Sequence, residues 1–229
     1  MAPDRLVLGS PNNYVNAINF DTGVRSVFSS DTVPDAVNPF QSVDDIVVDA
    51  ERGRALVLDT NGDAVIAADL MSGTRTIFSN AAVPDVLNPF DNPVVMTIDT
   101  LTDNLYVVDA GLDAVIAVDL TTGERTELSS VAMSTAATDL SSARGVTFDS
   151  QTEQLFVSEE ASNGIIAISA VDGSRSVVTD MTMQVANLPL NKLGRLDFDP
   201  YCECVFVIDD DLGIVAVDVV DGERVVLSR

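Results

Sequence analysis

The residues of this chain with chemistry to offer come at a fixed interval. A glycine followed two positions later by an arginine recurs as Gly23/Arg25, Gly73/Arg75, Gly123/Arg125, Gly173/Arg175 and Gly222/Arg224, at spacings of 50, 50, 50 and 49. An aspartate closes an apolar run at Asp49, Asp99, Asp149 and Asp199, and an acid follows a second run at Asp59, Asp109, Glu159 and Asp209. Carboxylates in such a series can form a rim that holds cations, or they can start turns by accepting from backbone amides two residues on. The turn role is the expectation here. Asp59-Thr60-Asn61-Gly62-Asp63 looks like the start of a calcium loop, but its glycine is fourth rather than sixth and its twelfth place is Leu70. Asp209, Asp210 and Asp211 form the densest run and are read as solvated surface, with calcium as the alternative. No other cofactor, no other metal ligand and no catalytic residue is assigned.

The arginines have a structural reading too. In a loop such as Thr121-Thr122-Gly123 the third residue takes a left-handed conformation, which favours glycine. That turn is expected to set Asp69 opposite Arg75, Asp119 opposite Arg125 and Asp218 opposite Arg224 as cross-strand ion pairs. Asn19 and Ser169 face the arginines of the first and fourth copies. Cys202 and Cys204 form a lone C-x-C without a second pair to complete a zinc site. Two free thiols are expected, since a bridge across one residue is strained; a redox or soft-metal role is the alternative.

The composition narrows the function. Among 229 residues, 36 acids face 12 basic residues, for a net charge of −24, and histidine is absent. Such a surface repels phosphate backbones, which excludes nucleic acid, and anionic membranes likewise. Without histidine the commonest general base and the imidazole metal ligand are missing. No apolar run approaches the roughly 18 residues of a membrane span, so insertion is not expected. No signal peptide opens the chain as it stands.

The elements that must position these residues are strands. One copy reads VVMTIDT–LTDN–LYVVDA–GLD–AVIAVDL–TTG–ERTELSS, four short runs rich in Val, Ile, Leu and Thr between turns of Asp, Asn, Gly and Thr. The second and third runs barely alternate, so both faces of the sheet must be covered. A stack of four-stranded antiparallel sheets meets that need, and the chain is read as an all-β, single-domain β-propeller with about 50 residues per blade. The expected blades are 5–30, 43–80, 93–130, 143–180 and 193–229, the first lacking its inner strand. Strand a is expected at 45–49, 95–99, 145–149 and 195–199. The connections 32–40 and 82–90 share the pattern VPD-x-x-NPF, whose Val, Leu and Phe are expected to cap the blade interfaces. The loops 131–142 and 180–191 diverge, and with Met133, Met181 and Met183 they are the expected recognition surface.

The segment ARGVTFDSQTEQLFVSEEASNGIIAISAVDGSRSVV (143–178) resembles NHL repeats and the senescence-marker/gluconolactonase-like propellers, in its G-[IV]-x-x-D strand and its [LF]-[YF]-V-[AS]-[DE] strand. The resemblance implies a propeller over essentially the whole chain. It also implies a divalent metal in the central channel, held by Glu, Asn and Asp just before the glycine that opens strand a. In this chain those places hold Asp44, Val94, Arg144 and Gly194, of which only Asp44 can ligate. The expected reading is therefore a non-catalytic binding or scaffolding module. A mouth bearing Asp44, Asp45, Arg144 and Arg195 would take a small polar ligand or a protein partner. One alternative is a metal-dependent lactonase or hydrolase with its site outside these blades; another is a calcium-dependent extracellular surface protein. The resemblance and the acidity favour export. The open edge at Arg5–Gly9 suggests a fragment of a larger, six-bladed propeller; the alternatives are a five-bladed ring closed with one thin blade and self-association through that edge.

Overall fold

Because the middle runs of each copy are apolar on both faces, each copy has to be a sheet covered on both sides, and the computed structural model shows such sheets. The structure describes residues 5–10, 13–183 and 188–228, the first of these by backbone alone. Strands β1 (Arg5–Ser10), β2 (Tyr14–Asn19) and β3 (Arg25–Ser30) form a three-stranded sheet. Four four-stranded sheets follow, each in sequence order. The second holds β4 (Val43–Asp49), β5 (Arg54–Asp59), β6 (Ala64–Asp69) and β7 (Arg75–Ser79). The third holds β8 (Pro93–Asp99), β9 (Asn104–Asp109), β10 (Ala114–Asp119) and β11 (Arg125–Ser129). The fourth holds β12 (Ala143–Asp149), β13 (Gln154–Glu159), β14 (Gly164–Ser169) and β15 (Arg175–Thr179). The fifth holds β16 (Leu193–Asp199), β17 (Cys204–Asp209), β18 (Gly213–Asp218) and β19 (Arg224–Ser228). The side chains of Arg5–Gly9, where the open edge is expected, and Arg229 at the end of the last expected blade lie outside the described residues.

The chain falls into two compact units, Met1–Val107 with Ala117–Thr126, and Val108–Ile116 with Glu127–Arg229. In the first, Val15 and Phe28 pack with Val57 and Ile66 of the next sheet in one buried cluster that also takes in Phe40. In the second, Phe156 and Ile165 pack with Val205, Val207 and Val215. Strand a begins two residues earlier than the apolar pattern suggests. Val43 pairs with Asp59 and Asp45 with Leu58, so Asp44 is an extra residue in a bulge; Arg144 is the extra residue in β12. A bulge breaks the alternation that marks a strand, which hides its first turn of sequence.

The turn glycines are left-handed as expected, Gly73 at φ 74° and Gly123 at φ 77°. A second constraint is not visible in the sequence. A Cβ on Gly73 would lie 2.4 Å from the carbonyl oxygen of Phe28, and one on Gly123 2.4 Å from that of Phe78. Each of these glycines abuts the outer strand of the preceding sheet.

The expected ion pairs Asp69–Arg75, Asp119–Arg125 and Asp218–Arg224 do not occur among the described residues. Arg75 pairs with Ala68 in the ladder and Arg224 with Val217, one place away from the aspartates. Neighbouring positions face opposite sides of a sheet, so acid and arginine point apart. Asp69 caps its own turn instead, accepting from the amides of Met71 at 3.0 Å and Ser72 at 2.8 Å. Asp119 does the same for Thr121 and Thr122, and Asp218 for Val220 and Asp221. These turn contacts, the Ser72 hydroxyl first for Asp69 and the Thr122 amide first for Asp119, hold both carboxyls below the usual aspartate range.

The arginines cross to the preceding sheet. The Arg75 guanidinium donates to Ser29 Oγ at 2.8 Å and to the carbonyls of Val33, Asp35, Val37 and Asn38 at 2.7–2.9 Å. Arg125 repeats this on Ser79 Oγ at 2.7 Å and on the carbonyls of Val83, Asp85, Leu87 and Asn88. The serine closes the clasp: Ser29 Oγ donates to the Gly73 carbonyl and Ser79 Oγ to that of Gly123, both at 2.8 Å. Both side chains are inaccessible, and burial lowers their pKa. In the proline loops Phe40 and Phe90 are buried as expected, while Val37, Val86 and Leu87 are exposed and cap nothing. The backbone carbonyls of Val37 and Leu87, not their side chains, do the holding. In both loops the peptide bond before the first proline, Val33-Pro34 or Val83-Pro84, is cis.

Cys202 and Cys204 are joined by a disulfide, with Cα atoms 5.2 Å apart, which corrects the expectation of free thiols. Glu203 between them is left-handed at φ 51°. That conformation folds the two flanking residues back toward one another, a geometry that spacing alone does not reveal.

Candidate functional site

The acids that end the second strand of each four-stranded sheet, Asp59 in β5, Asp109 in β9, Glu159 in β13 and Asp209 in β17, are buried and engaged. Asp59 accepts from the amide of Gly62 and, back across the sheet end, from those of Gln41 and Ser42 at 2.7 and 2.9 Å. Asp109 accepts from the amides of Gly111 and Leu112, and Glu159 from those of Ser142 and Ser162. The turn role holds, and Asp59, Glu159 and Asp209 also fasten the loop that leads into strand a. Asp209 has one carboxylate oxygen on the amide of Asn191 at 2.6 Å and the other on those of Asp211 and Leu212. Asp211 takes the side-chain amide of Asn191 at 2.6 Å, while Asp210 is exposed. Asp209, Asp210 and Asp211 therefore do not converge. Among the described residues no three acids or cysteines gather as a metal site.

The strand-a openings have a different character in each unit. In the first, the bulge in β4 leaves Asp44 exposed. Asp45 beside it is half-buried, and its carboxylate accepts from the amides of Ile46 at 2.9 Å and of Met96 in β8 at 2.8 Å, tying two neighbouring strands. In the second unit, the bulged Arg144 is exposed and pairs with Glu160 at 2.5 Å. Gly145 next to it has no room for a side chain, since a Cβ would lie 2.9 Å from the Leu196 amide nitrogen. Thr147 and Asp197 meet at 3.3 Å, and the Thr147 hydroxyl accepts from the amide of Phe198. Arg195 is exposed on β16. Glu160 and Asp197 were not singled out from sequence. Glu160 stands beside an acid already assigned to a turn, and Asp197 is the polar break in LGRLDFD, which marks a residue that faces away from the core.

The four positions that would hold a divalent metal do not suit one. Asp44 is a donor, Val94 and Gly194 offer no side-chain oxygen, and Arg144 is a cation already paired with Glu160.

No family model matches the chain, and no curated protein does. Among solved structures the chain is similar to one described as the nidogen/laminin complex, at 14% identity over 96% of this chain and 74% of that one, with a TM-score of 0.73. It is also similar to a gluconolactonase of Xanthomonas campestris described as important in glucose secondary metabolic pathways, at 16% identity over 96% of this chain and 70% of that one, with a TM-score of 0.68. The chain is thus an all-β β-propeller that resembles both kinds of protein at the level of fold. None of the helical turns among the described residues is long or apolar enough to cross a membrane.

Proposed function

We propose that this propeller is a non-catalytic binding module. The observation that carries the reading is the makeup of the strand-a openings: one carboxylate at Asp44, then Val94, a paired arginine at Arg144, and Gly194. The periodic carboxylates that a metal hydrolase would draw on are occupied by backbone amides, as at Asp59 and Asp209. What these ends offer is charge on bulged, outward positions: Asp44 in one unit, Arg144 and Arg195 in the other. Such groups suit a small polar ligand or the charged loop of a protein partner. The solved complex of nidogen and laminin supplies a precedent for a propeller of this fold in a protein assembly.

The test is an assay of glucono-δ-lactone hydrolysis by the purified chain with magnesium, manganese or calcium added in turn. The expected result is the background rate in every case. Metal-dependent hydrolysis that disappears in Asp44→Asn would overturn the reading in favour of a lactonase. A calcium-dependent rise in melting temperature would favour a calcium-dependent surface protein.

A further inference from the structure

The repeat makes the second unit comparable with the first, place by place. In the first unit Arg52 lies in the turn after β4 and Arg54 opens β5. Arg54 donates to Asp49 at 2.9 Å, lies 4.2 Å over the ring of Phe78, and reaches the carbonyl of Leu120 in the next sheet. Arg52 donates to Asp103 at 2.8 Å and to Thr121 Oγ1 at 3.3 Å. Two guanidinium groups thus fill the seam between two successive sheets. Their acceptors are Asp49 at the end of β4, Asp103 in the turn between β8 and β9, and the Leu120 carbonyl and Thr121 hydroxyl in the turn between β10 and β11.

The same seam in the second unit has no arginine. Asp149 stands in the place of Asp49 and pairs with Gln154 as Asp49 does with Arg54. Thr152 and Gln154 replace the two arginines. Glu203 replaces Asp103 and Val219 replaces Leu120, with the same backbone bond between them: the Val219 amide to the Glu203 carbonyl at 3.2 Å, against Leu120 to Asp103 at 2.9 Å. Here the structure has a cleft of about 100 Å³, lined by Asp149, Thr152, Phe198, Glu203, Val219 and Val220 among others. The acidic groups of the first seam have counterparts here without its cations; Asp149 accepts from the Gln151 amide at 2.9 Å and from the Thr152 hydroxyl, and a cation would share its carboxylate with them. Phe198 and the two valines provide an apolar wall for a flat cation or an alkyl stem, and the disulfide flanking Glu203 ties down the turn that presents it.

The geometry points to this cleft as a binding site for a guanidinium group, either of a small molecule or of an arginine side chain on a partner. The planar, five-donor fork of guanidinium fits two carboxylates and a carbonyl better than an ammonium does. The site is separate from the strand-a openings and stands independently of the function proposed there.

Calorimetric or NMR titration with N-acetyl-arginine methylamide tests it, with the neutral citrulline analogue as control. Expected are saturable binding of the arginine probe that weakens with salt, and none of the citrulline probe. Glu203→Gln, at an exposed position where folding is not at risk, is expected to weaken binding about fivefold. The double variant Thr152→Arg with Gln154→Arg refills the seam as Arg52 and Arg54 do, and is expected to abolish binding while raising the melting temperature. Tighter binding of a Gly-Arg-Gly peptide than of the amide assigns the site to a partner's side chain, and equal binding assigns it to a small guanidine. Failure of the arginine probe to bind, equal binding of citrulline, or undiminished binding by a folded double variant overturns the proposal.

Discussion

Arg75 and Arg125 in the first unit and Arg175 and Arg224 in the second hold the same place in their copies, yet different groups receive them. The first two insert into proline loops whose four carbonyls converge on the guanidinium. Arg175 has no such loop. It donates to the Asp113 carboxylate at 2.6 Å, to the Asp113 and Thr138 carbonyls, and to Ser129 Oγ. Arg224 uses Thr179 Oγ1 with the carbonyls of Asp180 and Leu188. The common parts are the arginine, a hydroxyl at the end of the preceding outer strand, and the glycine carbonyl that this hydroxyl reaches. Since any converging set of acceptors can satisfy a buried guanidinium, the loop between is free to diverge. This is why the proline pattern appears in two loops and is lost in the other two.

The comparison is sharpest at Arg175. Arg175→Ala strands a mostly buried carboxylate and is expected to cost about 4–5 kcal/mol in urea unfolding, with Asp113→Asn in the same background recovering about 1–2 kcal/mol. Arg125→Ala leaves four carbonyls, the Ser79 hydroxyl and the partly exposed Asp85 carboxylate 3.7 Å away, and is expected to cost about 3 kcal/mol, with Asp85→Asn in that background recovering less than about 1 kcal/mol. If the two variants cost the same and Asp113→Asn recovers nothing, the two clasps do not differ in kind.

Gly123→Ala meets both a left-handed backbone and the Phe78 carbonyl 2.4 Å away, and is expected to cost about 2–4 kcal/mol. Gly23, with the same sign of φ at 68° and nothing within 4 Å, is the control, at about 1 kcal/mol. Ser79→Ala removes one hydroxyl that serves both Gly123 and Arg125, for about 1–2 kcal/mol.

The smallest effect belongs to the turn caps. Asp69 and Asp119 have carboxyls whose pKa is lower in the folded chain than in the unfolded one. Their contribution is therefore complete above the usual aspartate range and is lost as the pH falls through about 4 and below. Asp69→Asn combined with Asp119→Asn is expected to flatten that part of the stability profile slightly, and a profile unchanged between pH 5 and 3 would show that the caps contribute nothing.

The strands were largely legible in the sequence because both-face burial writes unbroken apolar runs such as Leu105–Val108, and the 50-residue period set their phase. The start of strand a was not, because the bulges at Asp44 and Arg144 break alternation where the strand begins. The destination of the arginines was not legible either. A pairing argument along one hairpin sees Asp119 near Arg125, whereas the acceptors are backbone carbonyls some 40 residues away, which carry no residue signature. Asp44, Asp45, Arg144 and Arg195 were readable as positions because they precede or follow the strand-a opening. That Asp45 ties β4 to β8, and that Arg144 pairs with Glu160, depends on neighbours brought together only by the fold.

The most direct measurement is a double-mutant cycle on Asp119 and Arg125, read by equilibrium unfolding of Asp119→Ala, Arg125→Ala and the pair. A clasp to the preceding sheet, with the aspartate confined to its turn, predicts a small effect for Asp119→Ala, a large one for Arg125→Ala, and additivity within about 0.3–0.5 kcal/mol. A coupling of about 1 kcal/mol or more between the two would mean that they act as a cross-strand pair and would contradict the account.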